Sequence, residues 1–501
     1  MLSRREFLEV AAKAGVSAAV IPGCRPGSFG TTDERGIAVN DVHSHLNPTQ
    51  VRSIARPDYV ESVAAVVRAA RSQGSAISIA GGRHAMGGQQ FGADTTLLDM
   101  NGLSRVIEFD RENGEIEVEA GIQWPELYKY LVDVQRDSVK AWTFVQKQTG
   151  ADKLSIGGAL AANVHGRGLS RRPFVSDVIA FTIVDADGVA RRCSRTENTE
   201  LFTAAIGGYG LFGPIVTVRL RLVPRHKVQR VVEVIDIEQL PAMFEQRIAN
   251  GFEYGDFQFA TELKRDALLR KGVFSCYRPV DDATPMPASR LRLQAENWHE
   301  LIYLAHVDRA RAFQAYSSYY LTTSGQYYWS DEHQMSTYVP DYHDALAARL
   351  GPYAHGSEMI TEIYVPREAL VQFLADVRED FLAHQTDLIY GTIRLIERDD
   401  ETKLAWAKQP YACIIFNIHV MPDAAGIERA KGDFRRLIDH GLRYGGSYYL
   451  TYHRWAEPRQ VIAAYPQFPE FLRLKRRLDP SEVFQSEWYR HYRRMFADQV
   501  G

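Results

Sequence analysis

The sequence predicts an α+β fold, because helical and strand periodicities are mixed along the chain without a repeated βαβ unit. Three stretches carry that reading. Val60, Val63, Ala64, Val67 and Ala70 follow i, i+3, i+4 spacing, the pattern of an amphipathic helix. In Gly114–Gly121, Ile116, Val118 and Ala120 alternate with three glutamates, which describes a half-solvated strand. Asp177–Ser194 reads as a hairpin turned at Asp187-Gly188. No clean βαβαβ succession appears, which disfavours a Rossmann fold.

The remaining elements follow in order. Gly74 ends the first helix, and Ala76–Ala80 alternates like a strand that runs into a glycine loop. A strand ends at Met100, and a helix begins after Trp124 with Pro125 in its first turn. Ile215–Pro224 alternates again and stops at its proline. From about 226 to 430 the character shifts. Tyrosines cluster in Ala315–Ser330, Arg367–Asp380 is a helix and Tyr411–Val420 a buried strand, so the region reads as a second domain covering the first. A helix at Glu428–His440, a strand start at Gly445-Gly446 and a basic terminal region complete the chain.

Composition removes some functions. A net charge of -3 gives no overall basic field for nucleic acid. The cysteines Cys24, Cys193, Cys276 and Cys413 are too scattered for a disulfide framework or a zinc pattern. At the N-terminus, Arg4 and Arg5 precede Phe7-Leu8 and an uncharged run, Ala14–Gly23, too short to span a bilayer. Residues 1–25 therefore read as a cleavable export signal, and Ser3-Arg4-Arg5 with Phe7-Leu8 resembles a twin-arginine signal. This implies the twin-arginine export machinery as a partner and a periplasmic or cell-envelope location. Ile21–Cys24 loosely resembles a lipoprotein cleavage site, with Pro22 a departure, which would place a lipid anchor on Cys24. Residues 26–44 read as a linker.

Chemistry concentrates in three glycine-rich loops. The first, "AGGRHAMGGQQ" (Ala80–Gln90), follows a strand and lets backbone N–H groups face an anion, but it fits neither GxGxxG nor the P-loop pattern. The second, Thr149–Gly168, sets Gly157-Gly158 before small residues, allows close approach to a ligand and reads as too irregular for a packing helix. The third, Leu201–Leu220, has glycines at 207, 208, 210 and 213 ahead of a strand. Ordinary turns account for any one loop. Three of them imply one extended ligand touched at several points.

These loops, taken in order with "LLDMNGLSRVIEFD" and "VEAGIQWPEL", strongly resemble the FAD-binding domain of the vanillyl-alcohol oxidase and PCMH flavoprotein superfamily over about residues 50–225. "TEIYVPREALVQF", "IRLIERDD", "GGSYYLTYHR" and "RRLDPSEVFQSEW" resemble the aldonolactone and alditol oxidase branch, and "GGALAANVHGRG" also resembles the decaprenylphosphoryl-ribose oxidase. The resemblance implies a PCMH-type FAD-binding domain split in sequence (45–225 and 431–501), with an inserted α+β cap domain at 226–430 containing an antiparallel sheet. It implies FAD as cofactor, held by Gly81, Gly82, Arg83, His84, Ala85, Met86, Gly87, Gly88 and Gln89. The second loop adds Gly150, Ser155, Gly157, Gly158, Asn163, His165 and Gly166, and the third adds Gly207, Gly208, Gly213, Ile215 and Val216.

Roles follow by position. His84 matches the histidine that many members bond covalently to the flavin, while a hydrogen-bonding loop histidine is the alternative. No cysteine lies between 140 and 170, so a second, cysteinyl bond is not expected. His165 matches a histidine near the flavin ring, and Arg394 an arginine that faces substrate and flavin. The implied reaction is hydride transfer from a CH–OH carbon of a sugar, polyol or sugar lactone to flavin N5, with oxygen or another acceptor reoxidising the flavin. Two departures bear on substrate. Thr392 stands where the alditol branch has glutamate, and Tyr452 where it has lysine, with His453 next as a source of positive charge. Two other readings stand beside this one. The pair His43 and His45 is the His-x-His that opens many metal-dependent hydrolase barrels, although hairpins and glycine loops follow it. The changes at 392 and 452 also permit an exported flavin- or sugar-binding protein without catalysis.

Overall fold

The computed structural model describes residues 36–336, 342–351 and 356–500. The export signal, Cys24 and the first part of the linker lie outside the described residues. The rest of the segment read as linker is structured, because β1 (Ile37–Val39) pairs antiparallel with β2 (Thr49–Val51). The turn between them is organised by Asp41, whose carboxylate accepts from the backbone N–H groups of His43 and His45.

β3 (Ser53–Ala55) precedes α1 (Val60–Ser72), which buries four of the five positions that the spacing selects, Val63, Ala64, Val67 and Ala70, and leaves Val60 half-buried. β4 (Ile77–Ala80) and β5 (Thr96–Asp99) follow, and a small parallel sheet forms in the order β3-β5-β4. Next come β6 (Val106–Asp110), β7 (Glu115–Glu119), α2 (Trp124–Val134), β8 (Trp142–Phe144) and α3 (Ile156–Ala162). After α3 the hairpin of β9 (Val178–Val184) and β10 (Ala190–Ser194) turns with Gly188 at φ +73, as expected, and β11 (Ile215–Pro224) closes this half. These strands form a six-stranded sheet, β10-β9-β11-β7-β6 with β8 on β11.

α3 corrects the reading of the second glycine loop as non-helical. Ser155 caps it by accepting from Gly158 N, and the backbone N–H of Gly157 donates to Ala120 O at 2.7 Å. A Cβ on Gly157 would lie 2.9 Å from Ala120 Cβ. The glycine that makes the helix improbable by propensity is what lets it sit against β7.

The second half is one eight-stranded antiparallel sheet. Its elements are β12 (Lys227–Asp236), β13 (Tyr254–Phe259), β14 (Lys271–Pro279), α4 (Ala295–Val307), α5 (Arg309–Thr322), β15 (Tyr327–Trp329) and β16 (Ser357–Pro366). They continue with α6 (Leu370–His384), β17 (Leu388–Ile396), β18 (Tyr411–Val420), α7 (Ala424–Arg443) and β19 (Ser447–Tyr448). The strand order is β15-β12-β14-β13-β17-β18-β16-β19. Ile393, Ile414, Phe416, Ile418 and Ile363 are buried on one face, where α6 brings Phe381 to 5.5 Å from Phe416. The alternate positions make a polar face. Register places Gln258, Thr392, Ile415 and Glu362 in one row across four strands, and Tyr390, Asn417 and Ile360 in the next. The sheet continues to Tyr448, beyond the boundary expected near 430.

The chain then returns to the first half. Ile77 N donates to Val483 O at 2.7 Å, Gln485 N donates to Ile77 O at 2.8 Å, and Glu487 N donates to Phe91 O at 2.6 Å. The only parallel strand pairs among the described residues are those of the three-stranded sheet, so the hydrolase-barrel alternative fails on topology. No helix among the described residues is long and apolar enough to cross a membrane.

Candidate cofactor and active site

A cavity of about 530 Å³ lies between the glycine loops and the polar face of the eight-stranded sheet. A second cavity of about 880 Å³ shares His84, Gly150 and Tyr390 with it and continues along α4 and α5.

The loops approach each other as closely as glycine allows. A Cβ on Gly81 would lie 2.1 Å from Ser155 Oγ, and one on Gly82 would lie 2.3 Å from Lys153 O. Gly213, at φ +136, would place a Cβ 2.1 Å from Val184 O. A side chain at any of the three would force the neighbouring segment away and open the cradle. His84 stands in it with Nδ1 buried and without a partner. Burial, and next the neighbouring His43, push its pKa down to about 4, so the imidazole is neutral at neutral pH. The His43 ring meets it edge-on at 5.5 Å. Among the described residues no cluster of metal-type ligands includes His43 or His45.

The structure brings together most of the residues selected from the sequence. Gly81, Gly82, Arg83, His84, Ala85, Gln89, Gly150, Ser155, Gly157, Gly158, His165, Gly213, Ile215, Arg394 and Tyr452 all line the cavity. Met86, Gly87, Gly88, Asn163, Gly166, Gly207, Gly208 and Val216 stand behind that lining. Asn163 is the left-handed C-cap of α3, and its side chain accepts from Val175 N and donates to Asp399. Gly166 accepts from His165, Gly207 N donates to Leu160 O, and Val216 accepts from Ala120 N.

His453 is a correction. It is fully buried away from the cavity, stacked on Phe434 at 4.5 Å with its Nε2 3.1 Å from Thr361 Oγ1. Burial pushes its pKa down to about 3, so it brings no positive charge to the site.

At the heart of the cavity is a network that the sequence did not disclose. His165 Nδ1 donates to Gly166 O at 3.1 Å, and Nε2 lies 2.6 Å from Glu362 Oε1. A carbonyl only accepts, so Nδ1 carries a hydrogen, and one further proton is shared between Nε2 and the carboxylate. Tyr452 donates to the other carboxylate oxygen at 3.3 Å. Arg394 stands beside Cys413 in the register, with Nε unpartnered, and the Thr392 hydroxyl is also unpartnered. The ligand atoms of His165, Glu362 and Cys413 lie within 4.8 Å of one another. Burial pushes the Cys413 thiol well up, which keeps it a thiol, and the 2.6 Å contact already satisfies the other two. The cluster therefore reads as a proton-holding pair.

The sequence held one signal for Glu362. It is the single acid within the apolar run Ile360–Val365, on the same strand parity as the other cavity residues. Asp256, Gln258 and Tyr390 also line the cavity and share that period of two.

Residues 51–194 match the family model described as FAD binding domain. The chain carries an FAD-binding domain. FAD is its cofactor, and the glycine cradle with an unpartnered imidazole fits it. The chain is similar to L-gulonolactone oxidase of Mus musculus, 28% identical over 34% of this chain and 37% of that protein. It is similar to decaprenylphosphoryl-beta-D-ribose oxidase of Mycolicibacterium smegmatis at 21% identity, over 88% of this chain and 95% of that protein. It is also similar to cytokinin dehydrogenase 5 of Arabidopsis thaliana, 28% identical over 38% of this chain and 35% of that protein. The matches to the first and third thus span less than two fifths of those relatives. The resemblance to the PCMH-type oxidases agrees with these findings.

Proposed function

We propose that the protein is an FAD-dependent oxidoreductase that oxidises a CH–OH group of a sugar, polyol or sugar lactone, with oxygen or another acceptor taking the electrons onward. One observation carries the reading: the His165–Glu362–Tyr452 network faces the same cavity as the His84 loop. The similarity to a sugar-lactone oxidase and a ribose oxidase supports the substrate class. When bound, FAD supplies the acceptor for the hydride of the substrate carbon.

The chain supplies the rest. Gly81, Gly82, Ser155, Gly157 and Gly158 hold the cofactor by close backbone approach. His84, neutral and with Nδ1 free of partners, is the proposed covalent tether. Tyr452 receives the proton of the substrate hydroxyl and passes its own to Glu362, whose position His165 fixes. Arg394 and Thr392 present their unpartnered groups to substrate hydroxyls. The exported location rests on Ser3–Leu8 and remains part of the proposal.

The test has two readings. The purified protein is denatured in acid, and yellow colour that stays with the chain supports the tether. The native protein is mixed anaerobically with a panel of polyols, aldonolactones and phosphosugars. Bleaching of the flavin by at least one CH–OH donor is expected. A flavin that no alcohol reduces, while an amine donor does, overturns the substrate class.

A further inference from the structure

Where the end of the second glycine loop meets the sheet half, the cavity wall contains more positive charge than the flavin reading uses. Arg167 lies two residues beyond His165, Arg230 is on β12, and His333 sits in the turn after β15. All three line the main cavity. They converge on one ring: from the centre of Tyr277, the Arg167 guanidinium is at 6.0 Å, that of Arg230 at 5.2 Å and the His333 ring at 4.2 Å.

Their polar atoms are incompletely used. Arg167 meets one carboxylate, Asp256, at 3.5 Å, and its Nε is buried without a partner. Arg230 donates to the Tyr277 hydroxyl and to Thr323 Oγ1, and among the described residues it has no carboxylate partner. His333 is buried with both ring nitrogens unpartnered, and the Tyr316 hydroxyl, also on the cavity lining, has no hydrogen-bond partner. Burial, followed by Arg167 and Arg230, pushes the His333 pKa well down, so one ring nitrogen remains a neutral donor. Two half-buried guanidiniums thus have one carboxylate partner between them. Burying unbalanced charge is costly unless a ligand completes it. Planar guanidiniums and an imidazole N–H are the donors that carboxylates and phosphates take up.

We propose that the substrate carries an anionic group, a carboxylate or a phosphate monoester, seated among Arg167, Arg230 and His333 while its CH–OH group lies at the His165–Glu362 pair. This rests on the alcohol-oxidising reading and narrows it. Arg230 and His333 belong to the sheet half of the cavity, so the site is separate from the phosphate cradle of the cofactor.

The test uses the FAD-loaded protein at constant ionic strength. It is titrated with malonate and with inorganic phosphate, and binding is read from the change in the flavin absorption spectrum. Saturable binding is expected, weakened about ten- to hundredfold in Arg230→Met and in Arg167→Met, with Arg230→Lys between. Whichever probe binds more tightly identifies carboxylate or phosphate as the group. Two variants on different elements guard against the misfolding of one. No saturable binding, or binding in both methionine variants as tight as in the wild type, would each overturn the proposal. Anaerobic reduction by glycerol against glycerol 3-phosphate, and by sorbitol against gluconate, separates the two readings. Preference for the neutral member of each pair overturns the anionic substrate and leaves alcohol oxidation standing. Anion binding with no reduction by any alcohol overturns alcohol oxidation and leaves the anion site.

Discussion

The Glu362 carboxylate shares a proton with a ring and accepts from a phenol, which makes it the residue on which the proposed proton path depends. Glu362→Gln keeps the shape, removes the charge and leaves His165 facing an amide. The rate of flavin reduction should fall about 10²- to 10³-fold, with FAD content unchanged. Tyr452→Phe should slow the same step, and an unchanged rate in rapid mixing would remove Tyr452 from the path. His453 yields a different expectation. Its pKa is near 3 in the fold against 6.5 for the ordinary group. The unfolded chain therefore binds the extra proton first, and the contribution to stability, complete above 6.5, is lost as pH falls from there towards 3. His453→Phe keeps the stacking on Phe434 and removes the titration, so its urea midpoint should drop less between pH 7 and pH 5 than that of the wild type. An equal drop in both would assign the acid sensitivity elsewhere, with His84 the next group to test. Single positions were legible where a motif surrounds them, as at His84, His165 and Arg394. Glu362 was not, because its partner His165 is 197 residues away in sequence and only strand register joins them.

At the scale of elements, the loops and α3 act together because two glycines let one backbone lie on another. Gly81 faces the Ser155 hydroxyl, which in turn caps α3. Gly81→Ala should displace that serine, lose its cap at about 1 kcal/mol, and add strain of about 1–3 kcal/mol. The measured outcomes are a lower melting temperature and weaker retention of FAD. A variant that melts and binds as the wild type does would show that the loop has room to move. The periodic elements α1 and the β9–β10 hairpin were legible because their burial pattern repeats in the sequence. α3 was not, since Gly157 and Gly158 carry low helix propensity and tertiary packing against Ala120 overrides it.

The whole molecule joins its two halves around the cavity, and the buried core runs through both, from Trp124 and Phe181 to Phe373 and Phe434. The order of the eight-stranded sheet could not be read from the sequence. Neighbours such as β13 and β17 are separated by more than a hundred residues, and pairing at that distance leaves no local pattern. Cofactor binding to such a molecule should appear as global stability, because the loops proposed to hold FAD are anchored in one continuous core. For a reversibly bound cofactor the gain grows as RT ln(1 + [FAD]/Kd), about 2.7 kcal/mol at a hundred times Kd, and the melting temperature rises with added FAD. The proposed tether changes that dependence. A cofactor bonded to His84 cannot be lost on unfolding, so the melting temperature of the loaded wild type should not respond to free FAD. In His84→Ala the same cradle holds FAD only reversibly, and its melting temperature should climb with each tenfold addition. The two curves should meet only at high FAD. If the wild type also climbs, with a slope equal to that of the variant, the flavin is not tethered, and the neutral imidazole of His84 serves the cradle as a hydrogen-bonding group alone.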